Sequence, residues 1–576
     1  MQKVILPILF VSTYAISAEI ETINMPDITV ESSAQEEEPL IVMQETTPGM
    51  KQPVINGLMG DKILITLDNN KFSNALFRSG PNQYYSWVPD QFVLKNTVND
   101  TLLNSSLGGT VNRSLGIDTT GIDVDVSSNT FTGLATYSDE KLQIGAVYTD
   151  NANVVTPYDG EVEHSGYNQK GLFASLKSNL GTTKFMFTQS DDIDRTDKFE
   201  KGDYYVYDLQ RYINLSQEYR ISDTNIVVMP SWQQFQEKID RDSPDKKNVD
   251  SKNDIFGLNI SDKRESLFRE SDTFKYGFSD HYENIEYTKG LKTTDYYYNT
   301  LSLWASYNDL LSEKWSYNLT YNFSYLNTSG GDIDREMSGN AFGGVLTYLV
   351  TDTSYLYASV NSNFKFPTIT NLAEARSDSV EELPNPDLDS EKAITSRIGL
   401  NYAGFDLSLF YKDLYDMIIR EQTNISDGNG DFKWRYENTD RGHIKGISFT
   451  YNKTFYEDWL IRLNAELIEG KTDYDYISKL QPIVTSSYLK YKDIWAEFLY
   501  APSVDEDKMA LKDQKDIRIK DHNYGYRIVN MGYTYTQHAH TFNFYLDNIL
   551  NDRARVYGSS VDFNERRVRL GYSYQF

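Results

Sequence analysis

Residues 315–325 alternate without a break. Trp315, Tyr317, Leu319, Tyr321, Phe323 and Tyr325 fall on one face of an extended chain, and Ser316, Asn318, Thr320, Asn322 and Ser324 fall on the other. Strand side chains point to opposite faces with period two, so this run is a strand with one aromatic, apolar face and one polar face. Its eleven residues match the ~9–11 tilted residues with which a β-strand crosses a bilayer. The pattern recurs. Phe405, Leu407, Leu409 and Tyr411 alternate with Asp406, Ser408 and Lys412. Trp459, Ile461, Leu463, Ala465 and Leu467 alternate with Arg462, Asn464 and Glu466, and Phe542, Phe544 and Leu546 with Asn543, Tyr545 and Asp547. The last stretch, Arg566–Phe576, sets Val568, Leu570, Tyr572, Tyr574 and Phe576 against Arg567, Arg569, Gly571, Ser573 and Gln575. Such segments are edge strands of a soluble sheet, or strands of a closed barrel that face lipid on one side and a watery lumen on the other.

Composition alone weighs a tyrosine-rich soluble β-protein and a barrel about evenly. The chain has 576 residues and no cysteine, which excludes a disulfide framework and thiolate sites. Mean hydropathy is −0.54, and no apolar run of ~18 residues occurs outside the leader, which excludes a helical membrane protein. The 44 tyrosines suit aromatic girdles at two membrane interfaces. A net charge of −27 argues against a nucleic-acid partner. GxSxG, HExxH and GxxxxGK[ST] patterns are missing, so no enzymatic site and no resident cofactor are expected.

Four regions follow in order. Residues 1–18 read as a secretory signal peptide, with Lys3 as positive end, Val4–Val11 as apolar core and Ile16-Ser17-Ala18 as cleavage site. Residues 19–50 are acidic and aromatic-poor, an extended linker holding one β-prone island, Asp27-Ile28-Thr29-Val30-Glu31, able to add a strand to a partner's sheet edge. Residues 51–115 form a small folded unit around the buried strand Ile63–Leu67 and the Asp68-Asn69-Asn70 turn. At this size it needs to pack inside something larger. Residues 116–576 are the barrel. Its connections are unequal: short at 456–458, long and charged at Gln236–Asp272, Ile369–Glu391 and Ser503–Asp521. Short turns at one end and long loops at the other is the outer-membrane arrangement. If the chain ends on the periplasmic side, loop Asn551–Ser560 is extracellular and turn Gln537–His540 periplasmic.

Several stretches resemble the TonB-dependent outer-membrane receptors. Asp27–Glu31 looks like their TonB box. Asn56–Lys62, Leu64–Asp68 and Phe77–Tyr84 look like the second half of their plug domain, and Leu107–Asn112 like its closing motif. In the barrel, Phe364-Lys365-Phe366-Pro367, Leu383–Leu388 with Glu391-Lys392, Tyr436-Glu437-Asn438 with Ile444–Ile447, and Leu546–Asn551 resemble family boxes. The resemblance implies an all-β fold, a transmembrane antiparallel β-barrel of about 22 strands with a small N-terminal plug in the lumen. It also implies a localisation in the outer-membrane lipid and energisation through TonB with ExbB and ExbD. The plug's first half is missing by this reading, and Asn56, Lys62 and Lys95 stand where the family has arginines, replacing a planar bidentate donor by an amide or a point charge.

The resemblance implies the uptake of a scarce ligand. TonB would bind Asp27, Ile28, Thr29, Val30 and Glu31. Arg78, Gln83, Tyr84, Tyr85 and Trp87 would form a plug apex that touches ligand, an aromatic surface with one Arg suited to a flat anionic chelate. The opposing expectation is that Tyr84, Tyr85 and Trp87 pack against the barrel wall. A ferric siderophore leads, haem follows because no histidine lies in the plug or between Pro367 and Asn385, and a passive porin or surface-binding barrel is the third reading. His538 and His540 are a possible metal pair placed away from the ligand face. His164, His281, His443 and His522 are isolated and expected at the surface or in the lumen.

Overall fold

The computed structural model describes residues 28–31, 42–45, 49–76, 84–99, 106–196, 204–221, 224–241, 247–269, 271–351, 354–373, 382–426, 432–456 and 458–576. The leader at 1–18, Asp27, Arg78 and Gln83 lie outside these residues.

Twenty-two antiparallel strands, from Gly121–Ser127 to Arg567–Gln575, pair in chain order and close on themselves. Closure sets Gln575 opposite Gly121 and Arg569 opposite Ser127. Closing the sheet leaves no unpaired edge, the condition for strands to sit in lipid. The alternation read at 315–325 survives in space: Leu319 is 52% exposed on the outer face, whereas Ser324 is buried on the inner face. Phe405, Leu407, Leu409 and Tyr411 are likewise exposed, as are Phe542, Phe544, Leu546, Val568 and Leu570.

Both barrel ends of the chain lie at the end carrying the short turns, such as 139–141, 403–404 and 492–493. The opposite end carries the long connections 366–390, 502–525 and 548–566. One expected loop is corrected. Residues 236–272 hold the end of one strand, Val227–Asp240, and the whole of its partner, Val249–Glu265. There Lys252 and Asp254 alternate with Ser251 and Asn253. Both faces are polar where the strands rise beyond the apolar belt, so the period-two signal disappears from the sequence although the ladder continues.

The lumen holds a five-stranded sheet in the order Ile28–Glu31, Val93–Asn99, Gly109–Leu115, Ile63–Leu67, Asn70–Lys71. The strands Ile63–Leu67 and Gly109–Leu115 run parallel and the other pairs antiparallel. Beside it lies a smaller sheet of Val42–Glu45, Lys51–Ile55 and Leu58–Met59. The boundary expected at residue 50 therefore falls inside a hairpin. Its first strand is held by contacts with residues more than five hundred positions away, described below, which composition could not register.

This inner unit packs against the wall. Phe72 meets Tyr212 edge-on at 5.0 Å and Phe92 stacks on Phe173 at 5.6 Å. Wall glycines allow the approach: a Cβ on Gly145 would lie 2.9 Å from the Phe92 ring and 2.6 Å from Ile117. The last inner strand ends at Leu115 and the first wall strand starts at Gly121.

Candidate functional site

Of the residues singled out for ligand contact, the structure describes the turn Tyr84–Trp87. Tyr85 is 5% and Trp87 3% exposed. The Tyr85 ring lies under the Arg113 guanidinium at 4.3 Å, and Arg113 donates to the carbonyls of Tyr85 and Val88 at 2.9 and 3.0 Å and pairs with Asp90. Trp87 packs on Phe235 of the wall at 5.8 Å. The wall residue Gln169 donates to the Ser86 carbonyl at 2.7 Å. These side chains are part of the packing between inner unit and wall. Ile28–Glu31 of the β-prone island forms the edge strand of the chain's own inner sheet, Ile28 opposite Val98 and Glu31 opposite Lys95.

The structure brings together a set of charges that sequence reading did not assemble. The 3-10 turn Gly60–Lys62 delivers two neighbouring inner residues to the wall. Lys62 pairs with Glu391, and Asp61 with Lys365 at 2.9 Å, while Lys365 also pairs with Glu391 at 3.2 Å. Glu391 further accepts the Ile418 amide at 2.8 Å. The Glu391 side chain is 0% exposed and Lys365 5%. Two inner and two wall charges thus alternate in sign and sum to zero, the arrangement that makes a buried ionic group tolerable. Lys62, noted from sequence as replacing an arginine, reaches its carboxylate as a point charge.

Next to this network, Glu283 of the wall accepts the Ala75 amide at 2.7 Å, the Asn253 side chain at 2.6 Å and His281 at 3.0 Å. His281 is therefore a buried partner of a carboxylate. A cavity of about 50 Å³ lies between, lined by Asp61, Lys71, Glu283, Tyr298, Thr300 and Lys365 among others. It has room for water and not for a chelate. Burial pushes the Lys71 ammonium down, with Glu283 opposing. At the far end of the strand Ile63–Leu67, Asp68 pairs with Lys184 at 2.9 Å, burial raising the Asp68 carboxyl and Lys184 resisting.

The FKFP and LPNPDL stretches frame the connection 366–390. Thr368 caps the short helix Ile369–Leu372 with a capping box. Thr370 donates to the Leu76 carbonyl at 2.8 Å, so this connection grips the inner unit. Asn385 donates to the Tyr436 carbonyl at 2.7 Å. Phe364, Phe366 and Leu388 join one buried cluster with Ala75 and Leu76.

At the long-loop end, three connections close over the inner hairpin. Gln44 donates to the carbonyls of Lys479 and Tyr557 at 3.0 and 2.8 Å. The Glu45 amide donates to Ser559 Oγ at 3.1 Å, and the Ser560 amide to the Glu45 carbonyl at 2.8 Å. Buried Asp513 accepts from Ser478 Oγ at 2.5 Å, the Lys479 amide at 2.7 Å and the Tyr557 hydroxyl at 2.9 Å. One carboxylate thus ties 473–482, 502–525 and 548–566 together. Burial, reinforced by the Lys512 and Arg518 charges, pushes the Lys479 ammonium down to about 8, with Asp513 and Asp516 pulling more weakly the other way. Sequence gave no signal for this cluster, because its members lie on separate loops.

Among the described residues no group of three or more histidines and carboxylates could hold a metal ion. His538 occupies a turn with φ 58, and His540 bonds Tyr572 at 2.9 Å, so the two are not presented as a pair.

Residues 67–551 match the family model described as TonB dependent receptor-like, beta-barrel. A search of curated proteins returns no match. Among solved structures, the chain is similar to the copper transporter OprC, with a TM-score of 0.74 at 11% identity over 93% of this chain and 96% of that one. It is similar to the Serratia marcescens hemophore receptor HasR, in complex with its hemophore HasA and heme, at TM-score 0.72 and 12% identity over 93% and 95%. The siderophore receptor PirA from Acinetobacter baumannii gives 0.69 at 13% over 93% and 94%. At these identities the likeness shows the fold.

Proposed function

This chain belongs to the TonB-dependent receptor family, and from that premise we propose that it is an outer-membrane receptor, not an enzyme, that takes up an anionic ferric chelate of the siderophore type. TonB, with ExbB and ExbD, would engage Asp27–Glu31. The long loops face outward and the short turns the periplasm. The apex residues Arg78 and Gln83 and the three joined loops would receive the ligand.

One observation carries the choice of an anionic ligand. Lys479 lies where the three loops meet, its ammonium pushed down first by burial and then by two further cations, Lys512 and Arg518. Three cations thus gather at the mouth, where a chelate bearing carboxylates, catecholates or hydroxamates would meet them. The gated character rests on the buried network of Asp61, Lys62, Lys365 and Glu391, which holds the inner unit in the lumen. That unit would be a reduced plug, lacking the family's first half.

The test is a deletion of Asp27–Glu31, with uptake and surface binding of labelled ferric chelates measured separately. Uptake should stop while binding persists. Undiminished uptake would favour the passive porin, as would steady open conductance of the intact protein in a planar bilayer. Haem as the bound ligand, with ferric chelates ignored, would move the reading to a haem receptor, the class of ligand seen with the similar HasR.

A further inference from the structure

The inner unit covers the wall unevenly. On Val227–Asp240, Val249–Glu265 and Thr273–Lys289 the inward side chains are sealed: Gln233, Phe235, Glu237, Asn253, Ile255 and Ile285 are each at most 2% exposed. Around the closure of the barrel the inward face is wet. No inward residue of Arg567–Gln575 is buried, nor any of Thr130–Ser138. Arg569 keeps 27% of its side chain exposed, Asp125 and Arg567 23%, and Asp547 19%. Arg567–Gln575 descends to the last residues of the chain, so water reaches each level of this part of the wall. At the short-turn end the inward Thr536 and Gln575 are fully exposed.

The lining is hydrophilic and close to neutral. Asp547 pairs with Arg567 at 2.9 Å and with Arg569 at 3.6 Å, and Arg569 reaches Asp125 on the next strand at 3.2 Å. Two acids and two bases thus alternate across three neighbouring strands. Elsewhere on the same inward face Arg462 and Lys490 stand against Glu466, Glu497 and Asp123. Amides and hydroxyls fill the intervals: Asn530 donates to Glu497 at 2.8 Å, Thr534 to Asn543 at 2.8 Å and Asn464 to Ser486 at 3.0 Å.

The connection 548–566 roofs this sector at the long-loop end, with no helix or strand of its own. On one side Ala554 and Val556 are buried with Tyr526 and Ile528 of the wall. On the other the Glu565 amide donates to the Val155 carbonyl at 2.6 Å, and Arg553 pairs with Asp159 at 2.5 Å. It therefore reaches from Tyr526–Gln537 across the closure to the connection beyond Leu142–Asn151. Asn548 donates to the carbonyls of both Asp552 and Asn564, at 3.1 and 2.9 Å. The segment thus leaves and re-enters the wall at one point, as a flap on a single root.

We propose that the wet sector is a side passage for small hydrophilic solutes, running beside the seated inner unit, with the 553–563 flap as its outer gate. Raising the flap joins the wet wall to the outside and leaves the Asp61, Lys62, Lys365 and Glu391 contacts in place. The flap's tie to Asp159 is an exposed ion pair, which holds weakly, and irregular segments with few buried contacts open first. A lining whose acids and bases nearly balance admits solutes of either sign and zwitterions. The passage needs neither the ferric ligand nor a pull on Ile28–Glu31, so it stands or falls apart from the receptor reading.

The chain has no cysteine, so one introduced thiol is the sole target of a thiol reagent. In the folded full-length protein, Ser573→Cys and Thr132→Cys should react with a small charged methanethiosulfonate. Ser279→Cys, at a position 0% exposed on the sealed wall, should be protected. In a planar bilayer the intact chain should be closed. Excision of 553–563, bridged by Gly-Ser, should open a conductance smaller than that of a barrel freed of its inner unit. Labelling Ser573→Cys in the excised chain should remove most of that current. Arg567→Gln combined with Arg569→Gln should shift its reversal potential in a KCl gradient toward the cation value. Protection of Ser573→Cys and Thr132→Cys equal to that of Ser279→Cys overturns the proposal, and this arm needs no excised chain. A folded excised chain that stays closed, or a current that labelling at 573 leaves unchanged, also overturns it. Steady conductance of the intact chain overturns the flap as gate.

Discussion

Replacing Glu391 by Gln should loosen the inner unit from the wall without altering the shape of the site. The Glu391 carboxylate receives Lys62, Lys365 at 3.2 Å and the Ile418 amide at 2.8 Å, and is 0% exposed. Glutamine keeps an acceptor for the amide but removes the negative charge. The four-charge network then carries a net positive charge away from water. Lys365 keeps Asp61 at 2.9 Å, whereas Lys62 loses the carboxylate it touches. Removing one partner of a buried pair costs about 3–5 kcal/mol. For a small inner unit with a urea m-value of about 1 kcal/mol/M, that moves an opening midpoint by roughly 3 M or more. The assay is conductance of the full-length protein in a planar bilayer across a urea series, with the appearance of a large open pore as readout. Adding Lys62→Met to Glu391→Gln leaves Asp61 and Lys365 as a neutral pair, and should recover on the order of 1–3 kcal/mol as coupling between contacting residues. A midpoint for Glu391→Gln indistinguishable from wild type would refute the latch. A double variant that opens more easily than the single one would refute the charge accounting.

Leu319 faces outward and is half exposed, so Leu319→Arg should cost about 2–4 kcal/mol near mid-bilayer, read as a shifted unfolding transition in vesicles; no shift would remove that strand from lipid. The Lys479 ammonium sits at about 8 when folded, below its ordinary value, so below pH 8 the closed loops carry the full burden of a buried charge. Between pH 8 and roughly 10.4 the opened state binds more protons, and closure should strengthen as pH rises; hydrogen-exchange protection at 473–482, corrected for the base catalysis of exchange itself, should rise over that window, and Lys479→Met should abolish the slope. Asp513→Ala removes the acceptor shared by Ser478, Lys479 and Tyr557; leaving buried donors unsatisfied costs about 1–3 kcal/mol each, and limited proteolysis should then cut 502–525 and 473–482 faster.

Strands with lipid on one side and lumen on the other were legible because each face has its own solvent. Trp315–Gly330 and Phe405–Ser426 declare themselves by alternation alone. Val249–Glu265 does not, since Lys252 and Ser251 both meet polar surroundings. The site divides in the same way. The β-propensity of Ile28–Glu31 is a local property and appears as a strand. The pairs Lys62–Glu391 and Gln44–Tyr557 join residues 329 and 513 positions apart, and no local pattern specifies them. Tyr85 and Trp87 were ambiguous for a related reason. An aromatic next to a turn reads the same whether it meets a ligand or a wall, and Phe235 and Arg113, which settle their packing, are distant in sequence or carry no turn signal.

The order of strands in the inner sheet fixes how a pull on Ile28–Glu31 would travel. That strand lies at the sheet edge, against Val93–Asn99. Gly109–Leu115 comes next, and Ile63–Leu67, with Asp61 and Lys62 at its start, comes after it. Tension from the periplasm therefore peels an outer strand of four residues before it loads the strand that bears the charges. Peeling breaks ladder bonds in succession, whereas the Asp61 and Lys62 contacts must separate together because they are adjacent and share Lys365 and Glu391. When they part, the wall keeps a self-neutralising Lys365–Glu391 pair and the inner unit keeps neighbouring opposite charges, so neither surface is left with an isolated charge. Force spectroscopy on a tether at the N-terminal side of Ile28 should then show a low-force event followed by a higher one. Glu391→Gln should lower the second event and spare the first; lowering of both would mean that edge and latch give way as one unit.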